Sequence, residues 1–537
     1  MARENRRQTA DAPIKPTDSL TGPSLDLEAL EARGLAVPPF ALGALLTNAA
    51  RAWPAAIWIR SRDASLRYDE AADLAARIGA SLTRDGLRPG DRVAVMMPNH
   101  PAFVAAIWGS WHAGACCAAL HPAYGEPTLA CQLDDLDPRF LITLDRPDLL
   151  ARATRLAVAR DVRLVVLPAT GPIEASGWLG AARIEPHATN VDAVALLQYT
   201  GGTTGGVKAA MLSHRAISTN LAQLVGALPD LRVGEERMLA VAPFAHVTGF
   251  SALLCAGTYL GATVIVEDRF DQDETARLCL QERITYTTCV PTVIEAFNRS
   301  PIAQAGDWQA LKYVVAGGAP LPGATRTRFE AMTGCQLCQG YGLSETSPAV
   351  VVGYGVAGAP ADSVGPPLAG TTIAISAPDD PDRFLARGEE GEIRIAGPQV
   401  MQGYWRQPAE TAAALDGGML RTGDIGRIDA HGRVQVSSRL KDLIIASGYN
   451  IYPSRIEDAL FGHPAVADVA VIGVPDAYRG ETVKAVIVPK HGCELTLAEI
   501  QAWLAPLLSP MEMPKLIELR ESLPKTPAGK TLKTALR

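Results

Sequence analysis

From Ala41 to Val315 the chain repeats one theme: an apolar run of about five residues, then a longer amphipathic stretch. Val93–Met97 is such a run; a Pro-Asn-His-Pro turn follows and a helix is predicted from Ala102. Arg163–Leu167 and Ala262–Val266 repeat the pattern, and so does Val194–Leu197, with a helix predicted over 213–227 behind a Ser213 cap. Continuous rather than alternating apolar runs predict strands covered on both faces, the mark of largely parallel sheet between helical layers. The character changes after Tyr404: Gly391–Ile395 and Gly432–Val436 alternate, as expected of half-exposed antiparallel strands. From Ile444 onward the pattern predicts a small α+β unit, with strands near Val466–Val474 and Thr482–Val488 and a helix over Leu497–Leu507. The expected fold class is therefore α/β, a large multi-layer N-terminal domain with mixed sheets plus a small α+β C-terminal domain. The expected division is a disordered tail over 1–20, a first domain over 21–437 and a second over 438–537.

Composition narrows the field. A chain of 537 residues is too long for one core. With 48% hydrophobic and 20% charged residues it should fold, and a net charge of −7 gives no basic footprint for nucleic acid. Phe103–Leu120 and Phe250–Val266 are apolar but interrupted, so they suit helix–strand pairs better than transmembrane segments. Met1–Ser19 lacks the apolar core of a signal peptide. Nine scattered cysteines, an odd number, suit reduced thiols and a cytoplasmic protein. Cys335 and Cys338 have CxxC spacing, but without a second pair or a nearby His a metal or redox role is disfavoured.

The chemistry is concentrated in Leu197–Lys208, with glycines at 201, 202, 205 and 206, threonines at 200, 203 and 204, and Lys208. Glycines let successive N–H groups turn to one centre, and hydroxyls and a lysine suit a polyphosphate. The ordinary P-loop is excluded by spacing: Val207 separates Gly206 from Lys208, and Ala209 follows where Ser or Thr is required.

Further along stand Gln339–Thr346 (QGYGLSET), Arg421–Asp424 (RTGD), Ser438–Asp442 with Gly448–Pro453, and Leu523–Lys530 (LPKTPAGK). Together with the glycine loop, and in this order, they resemble the adenylate-forming superfamily: acyl-CoA synthetases, nonribosomal adenylation domains and beetle luciferases. The resemblance covers about Ala41 to Arg537 and is nearest to fatty-acid CoA ligases. It implies ATP as substrate, Mg²⁺ and coenzyme A, with a small-molecule carboxylic acid joined first to AMP and then to a thiol. By the same resemblance Thr200, Thr203, Thr204 and Lys208 would take the β- and γ-phosphates, Glu345 the Mg²⁺ and Thr346 the α-phosphate. Tyr341 and the Gly317–Pro320 segment, with Gly318, would hold the adenine, and Asp424 with Arg439 the ribose. Lys530 would bridge carboxylate and α-phosphate, where negative charge builds in transfer; Lys525 and Lys533 are expected to be solvated. A mobile C-terminal domain is implied, hinged at Ser438, where relatives commonly carry Asp or Lys, and bringing Gly448 and Tyr449 to the thiol channel. Val207 and Ala209 replace the usual proline and glycine.

The segment Val241–Phe250 resembles the one beside the acid pocket of acyl- and aryl-CoA ligases. It holds His246 and no acidic residue, which disfavours an amino-acid substrate and gives His246 a pocket-lining role. The small residues Gly257, Gly261, Ala316, Gly317 and Gly318 are expected to leave room for a long or broad acid. The expected substrate is a medium- or long-chain fatty acid in lipid metabolism. The alternatives are a hydroxycinnamate-like aryl acid, loading of an acyl carrier protein, luciferase-like oxidation and a non-catalytic acyl-adenylate-binding regulator.

Overall fold

The computed structural model describes residues 18–537 apart from 63, 201–206, 268, 354–362, 447–448, 477 and 527–528. Within them the chain forms four sheets. The first runs in the order Arg163–Leu167, Phe140–Leu144, Arg92–Met96, Cys116–Leu120, Val194–Thr200, Lys208–Ser213. It is parallel until its last pair, Val194–Thr200 with Lys208–Ser213, which is antiparallel. The second has a parallel centre, Ile57–Arg60, Thr263–Val266, Arg237–Ala240, Tyr286–Cys289, Tyr313–Ala316 and Gln336–Gly342. Antiparallel strands close it at both edges.

Two helices, Tyr68–Arg84 and Pro101–His112, belong to the core these sheets share. Every residue of Pro101–His112 is buried, which explains its apolar all-round sequence. The helices approach at Gly79 and Gly109, where a Cβ on Gly109 would stand 2.5 Å from Ile78 Cγ2. Trp58, Trp108, Trp111, Phe103, Phe244 and Phe250 form one edge-packed aromatic cluster in this core. The two long apolar stretches are the expected helix–strand pairs, and no helix of the described residues is long and apolar enough to cross a membrane.

The third sheet is antiparallel and starts earlier than the sequence suggests, with Ser363–Gly365 and Thr372–Ser376 preceding Tyr404. Its strand Gly391–Ala396 is not half-exposed as expected. Glu392 and Arg394 are each 2% exposed and pair with Arg421 and Asp416. Alternation here separates apolar from ion-paired positions rather than core from solvent. Leu20 and Thr21 pair with Ile373 and Thr372, so the chain is already in a sheet at position 20.

The fourth sheet holds Ile444–Ala446, Tyr449–Ile451, Val466–Asp476, Gly480–Pro489 and Leu516–Leu519, packed on helices Pro453–Phe461 and Leu497–Leu504 with a core of its own. The overall architecture is thus a large N-terminal domain of several mixed sheets with a smaller C-terminal α+β domain.

Candidate active site

A cavity of about 1440 Å³ lies where the strand ends of the large domain meet the C-terminal domain. Thr200, Lys208, His246, Gly318 and Tyr341 line it from the large domain, and Glu345, Asp424 and Arg439 join them. Lys530 enters from the C-terminal domain. Residues as far apart in sequence as Ala119 and Thr534 therefore share one chamber.

Asp424 is placed by sheet register: it stands directly opposite Arg439 in the antiparallel pair, and Arg439 Nε lies 2.7 Å from its Oδ1. Tyr341 donates its hydroxyl to Asp424 Oδ2 at 2.9 Å. Burial pushes the Asp424 carboxyl up against the opposing pull of Arg439, and the carboxylate in turn raises Arg439. Burial, then Asp424, raises the Tyr341 phenol. The turn before Asp424 is braced by a residue that no sequence motif flags. Glu392 accepts from the Gly423 N–H at 3.1 Å and binds Arg421. Sitting on an alternating strand, it had the sequence signature of a solvent-facing carboxylate.

Lys530 comes from a tight turn in which Thr526 N–H donates to its carbonyl at 2.7 Å and its own N–H donates to Thr526 Oγ1 at 3.2 Å. Its side chain passes over Gly318, which has φ +81; a Cβ there would stand 3.0 Å from Lys530 Cε. Burial lowers the lysine's pKa, Arg439 adds to this, and Asp424 and Glu345 oppose it. Lys525 and Lys533, expected to be solvated, are instead ion-paired with Asp468 at 2.9 Å and Glu457 at 2.7 Å. Those pairs fasten the tail to its own domain, which a proline- and glycine-rich sequence conceals.

His246 faces the same chamber, its Nδ1 accepting from Thr248 N–H at 3.2 Å. Burial, then Lys530 and His121, press it down to about 3, so the ring is neutral near pH 7. His121, another cavity residue without a motif, is lowered by burial as well. His246 opens onto an eight-residue π-helix, Thr248–Cys255, and a Cβ on Gly249 would lie 2.2 Å from the Pro243 carbonyl oxygen. Wide helical turns of this kind are frequent at functional sites.

At the phosphate end, Lys208 is ion-paired with Glu410 and its Nζ lies 5.6 Å from the Tyr404 ring centre. Tyr404 donates its hydroxyl to Glu345 Oε1 at 2.8 Å. Neither Tyr404 nor Glu410 was visible as a site residue, because 59 and 202 positions separate them from the partners they touch.

Not every expected residue arrives. Thr346 is fully buried, and its hydroxyl donates to the Pro348 carbonyl at 2.6 Å and accepts from Leu343 N–H. Its polar atoms are committed to the turn rather than to the cavity. Tyr449 is 57% exposed and does not line the chamber. Gly257 and Gly261 leave no room for substrate: Val264 Cγ2 fills the first at 2.6 Å, and the Trp53 ring packs on the second, where φ is +66. Ala316 ends the strand Tyr313–Ala316 and is buried in a hydrophobic core, and Gly317 has only Gly340 O, at 3.6 Å, near its added Cβ. Cys335 and Cys338 are buried, their thiols pushed up to about 12. Thr203, Thr204 and Gly448 lie outside the described residues.

A buried carboxylate opposed by an arginine, a cavity lysine brought in by a second domain and Lys208 at the start of its strand share one chamber. The model of the AMP-binding enzyme family matches residues 46–405, and that of the AMP-binding enzyme C-terminal domain matches residues 455–530, so the chain belongs to the AMP-binding enzyme family. It is 35% identical to a long-chain-fatty-acid–CoA ligase of Bacillus subtilis (strain 168), over 94% of this chain and 95% of that one. It is 36% identical to a feruloyl-CoA synthase of an Amycolatopsis species, over 92% and 98%. ATP-bound MatB from Rhodopseudomonas palustris superposes with a TM-score of 0.83 at 28% identity, covering 93% of this chain and 98% of MatB. The chain is an ATP-dependent, AMP-forming acyl-CoA synthetase.

Proposed function

We propose that the protein activates a medium- or long-chain fatty acid as acyl-AMP in the cavity between its domains and passes the acyl group to coenzyme A. The observation that carries this is the position of Lys530. Its ammonium stands over Gly318, in the chamber that holds Asp424 and Arg439, with the neutral His246 nearby. That arrangement suits the first half-reaction, in which two anions must approach and charge develops at phosphorus. Lys530 stabilises this charge, Asp424 accepts from the ribose hydroxyls, and Tyr341 packs on the adenine beside Gly318. Thr200 and Lys208, with Thr203 and Thr204, take the terminal phosphates. His246, neutral and fixed, borders the acid without competing for the lysine.

Glu345 is the residue we assign to Mg²⁺. A single carboxylate fits an ion that draws most of its oxygens from phosphate and water, and the described residues offer no cluster of three or more His, Cys, Asp or Glu that could cage a metal. When bound, the ion neutralises phosphate charge. For the second half-reaction we propose rotation of residues 438–537 about Ser438, withdrawing Lys530 and carrying the exposed Tyr449, with Gly448, to the thiol channel. Nine free cysteines support a cytoplasmic location.

One observation favours a second acid class. Phe244 and Phe250, on either side of His246 in sequence, pack with Phe103 and Trp111, all at most 1% exposed. A flat aryl acid of the hydroxycinnamate kind would need less depth than a long chain. Thioester formation followed by mass spectrometry, with ATP, Mg²⁺, CoA and a panel of fatty, dicarboxylic and aryl acids, decides. A fatty acyl-CoA product supports the first reading and an aryl-CoA product the second. Acyl-AMP without CoA product would transfer the acceptor role to a carrier-protein thiol, and no product with any acid would overturn the proposal.

A further inference from the structure

The segment Gln402–Thr411 is a strap laid across the strand Lys208–Ser213. Gln402 N–H donates to the Met211 carbonyl, Met211 N–H to the Gly403 carbonyl, and Trp405 N–H to the Ala209 carbonyl, each at 2.9 Å. Ala210 and Tyr404 form an antiparallel bridge. Gln407 Nε2 donates to the Val207 carbonyl at 2.9 Å, which ties the strap to the residue beside Lys208. Thr411 closes it, its Oγ1 accepting from Tyr404 N–H at 2.8 Å and donating to the Gln407 carbonyl at 2.9 Å. The turn uses an energetically unfavourable conformation at a non-glycine position, φ +54 at Arg406.

This strap presents Tyr404 to the phosphate end of the cavity, and from beyond the cavity lining its Glu410 reaches Lys208. Tyr404 lies between Lys208 and Glu345, its ring under the ammonium and its hydroxyl on the carboxylate. Glu410, on the helix Pro408–Ala414, pairs with Lys208. The pair is partly open, with Lys208 27% and Glu410 50% exposed, so water competes for both charges and the bond is readily exchanged.

We propose that Glu410 is a specificity-determining residue for the nucleotide. It acts as a built-in competing anion that Lys208 must leave, so the lysine is released to a ligand carrying a polyphosphate and not to a monophosphate. The inference rests on the reading of Lys208 as a phosphate ligand. Two terms set its sign. Glu410 holds Lys208 near the cavity, which favours binding, but its own charge repels the phosphates and its pair must be broken. For a half-exposed pair the ordering gain is small, while repulsion by a nearby carboxylate acts on every phosphate charge, so competition wins. The same competition helps pyrophosphate to leave, since Glu410 recaptures the lysine as the product departs.

The test is calorimetric titration of the full-length protein with Mg·ATP, Mg·pyrophosphate and AMP, comparing wild type with Glu410→Gln, Lys208→Ala and the double variant. Glu410→Gln is expected to bind ATP and pyrophosphate about two- to fivefold more tightly, to leave AMP unchanged, and to lose its gain at high salt and in the Lys208→Ala background. Glu410→Ala, measured beside it, should move in the same direction if loss of charge rather than of shape is the cause. Should Lys208→Ala weaken ATP while Glu410→Gln weakens it too or leaves it unchanged, the competition is refuted and the phosphate role of Lys208 stands. An equal gain for AMP would also refute it. Unchanged ATP affinity in Lys208→Ala would instead remove the premise.

Discussion

Replacing Lys530 by alanine removes one unit charge from the reaction chamber while leaving the Thr526 turn, built from backbone and a threonine hydroxyl, in place. The side chain packs over Gly318 on the cavity wall, so its loss opens space but breaks no ion pair of the described residues. A unit charge about 4 Å from a developing anion, at an effective dielectric of about 20, is worth about 4 kcal/mol. That corresponds to roughly a thousandfold in rate. The lysine must be protonated to act, and burial has lowered its pKa, so the alkaline limb of the wild-type adenylation profile should fall at lower pH than for a solvated lysine. Single-turnover pyrophosphate release measures adenylation alone, and thioester formation from supplied acyl-AMP and CoA measures the second step. Alanine should depress the first about a thousandfold and spare the second. Equal loss in both steps would refute domain alternation, and less than about a tenfold loss in the first would refute the assignment of Lys530.

Asp424→Asn should weaken ATP binding by about one to two orders of magnitude, because it loses charge-assisted hydrogen bonds and leaves Arg439 without its buried partner; equilibrium titration with ATP checks this, and unchanged affinity would count against the ribose role. Gly249→Ala drives a Cβ toward the Pro243 carbonyl at 2.2 Å, so a loss of about 1–3 kcal/mol in unfolding free energy should accompany a raised KM for the acid; a variant with wild-type Tm and KM would contradict the crowding argument. Burial lowers His112 and His214 from 6.5 to about 4, so the unfolded chain binds their protons first, and the stability they contribute is complete above pH 6.5 and lost as pH falls toward 4. Urea unfolding at about pH 5 should therefore show roughly 2 kcal/mol less stability per histidine than at neutral pH, and an unchanged midpoint would refute the neutral-burial reading.

The sequence signalled those residues whose partners are close in sequence or whose role is carried by backbone. The strand Val194–Thr200, the Ser213 cap that accepts from Ala216 N–H at 3.1 Å, and the strand Arg163–Leu167 all follow from local pattern. The motif residues Lys208, Tyr341, Glu345, Asp424 and Lys530 do converge on one cavity. The same signals misled where burial came from distant parts of the chain. Glu392 and Arg394 looked solvated because alternation cannot tell water from a buried ion pair, and Lys525 and Lys533 looked free because Asp468 and Glu457 lie more than fifty positions away. Gly257 and Gly261 read as substrate space because a missing side chain does not reveal whether Val264 or Trp53 fills it.

By itself, then, the sequence determined the α/β class, the order of the elements and the chemical kinds assembled at the site, since hydrophobic period and residue type are local properties. Tertiary structure decided which polar atoms remain available. Thr346 spends its hydroxyl on Pro348, Tyr404 commits its own to Glu345, and Glu410 claims Lys208 across 202 positions. Hydrogen-bonding capacity and charge are satisfied by whatever the fold brings within about 3 Å, and at that range separation along the chain has no bearing on which groups meet.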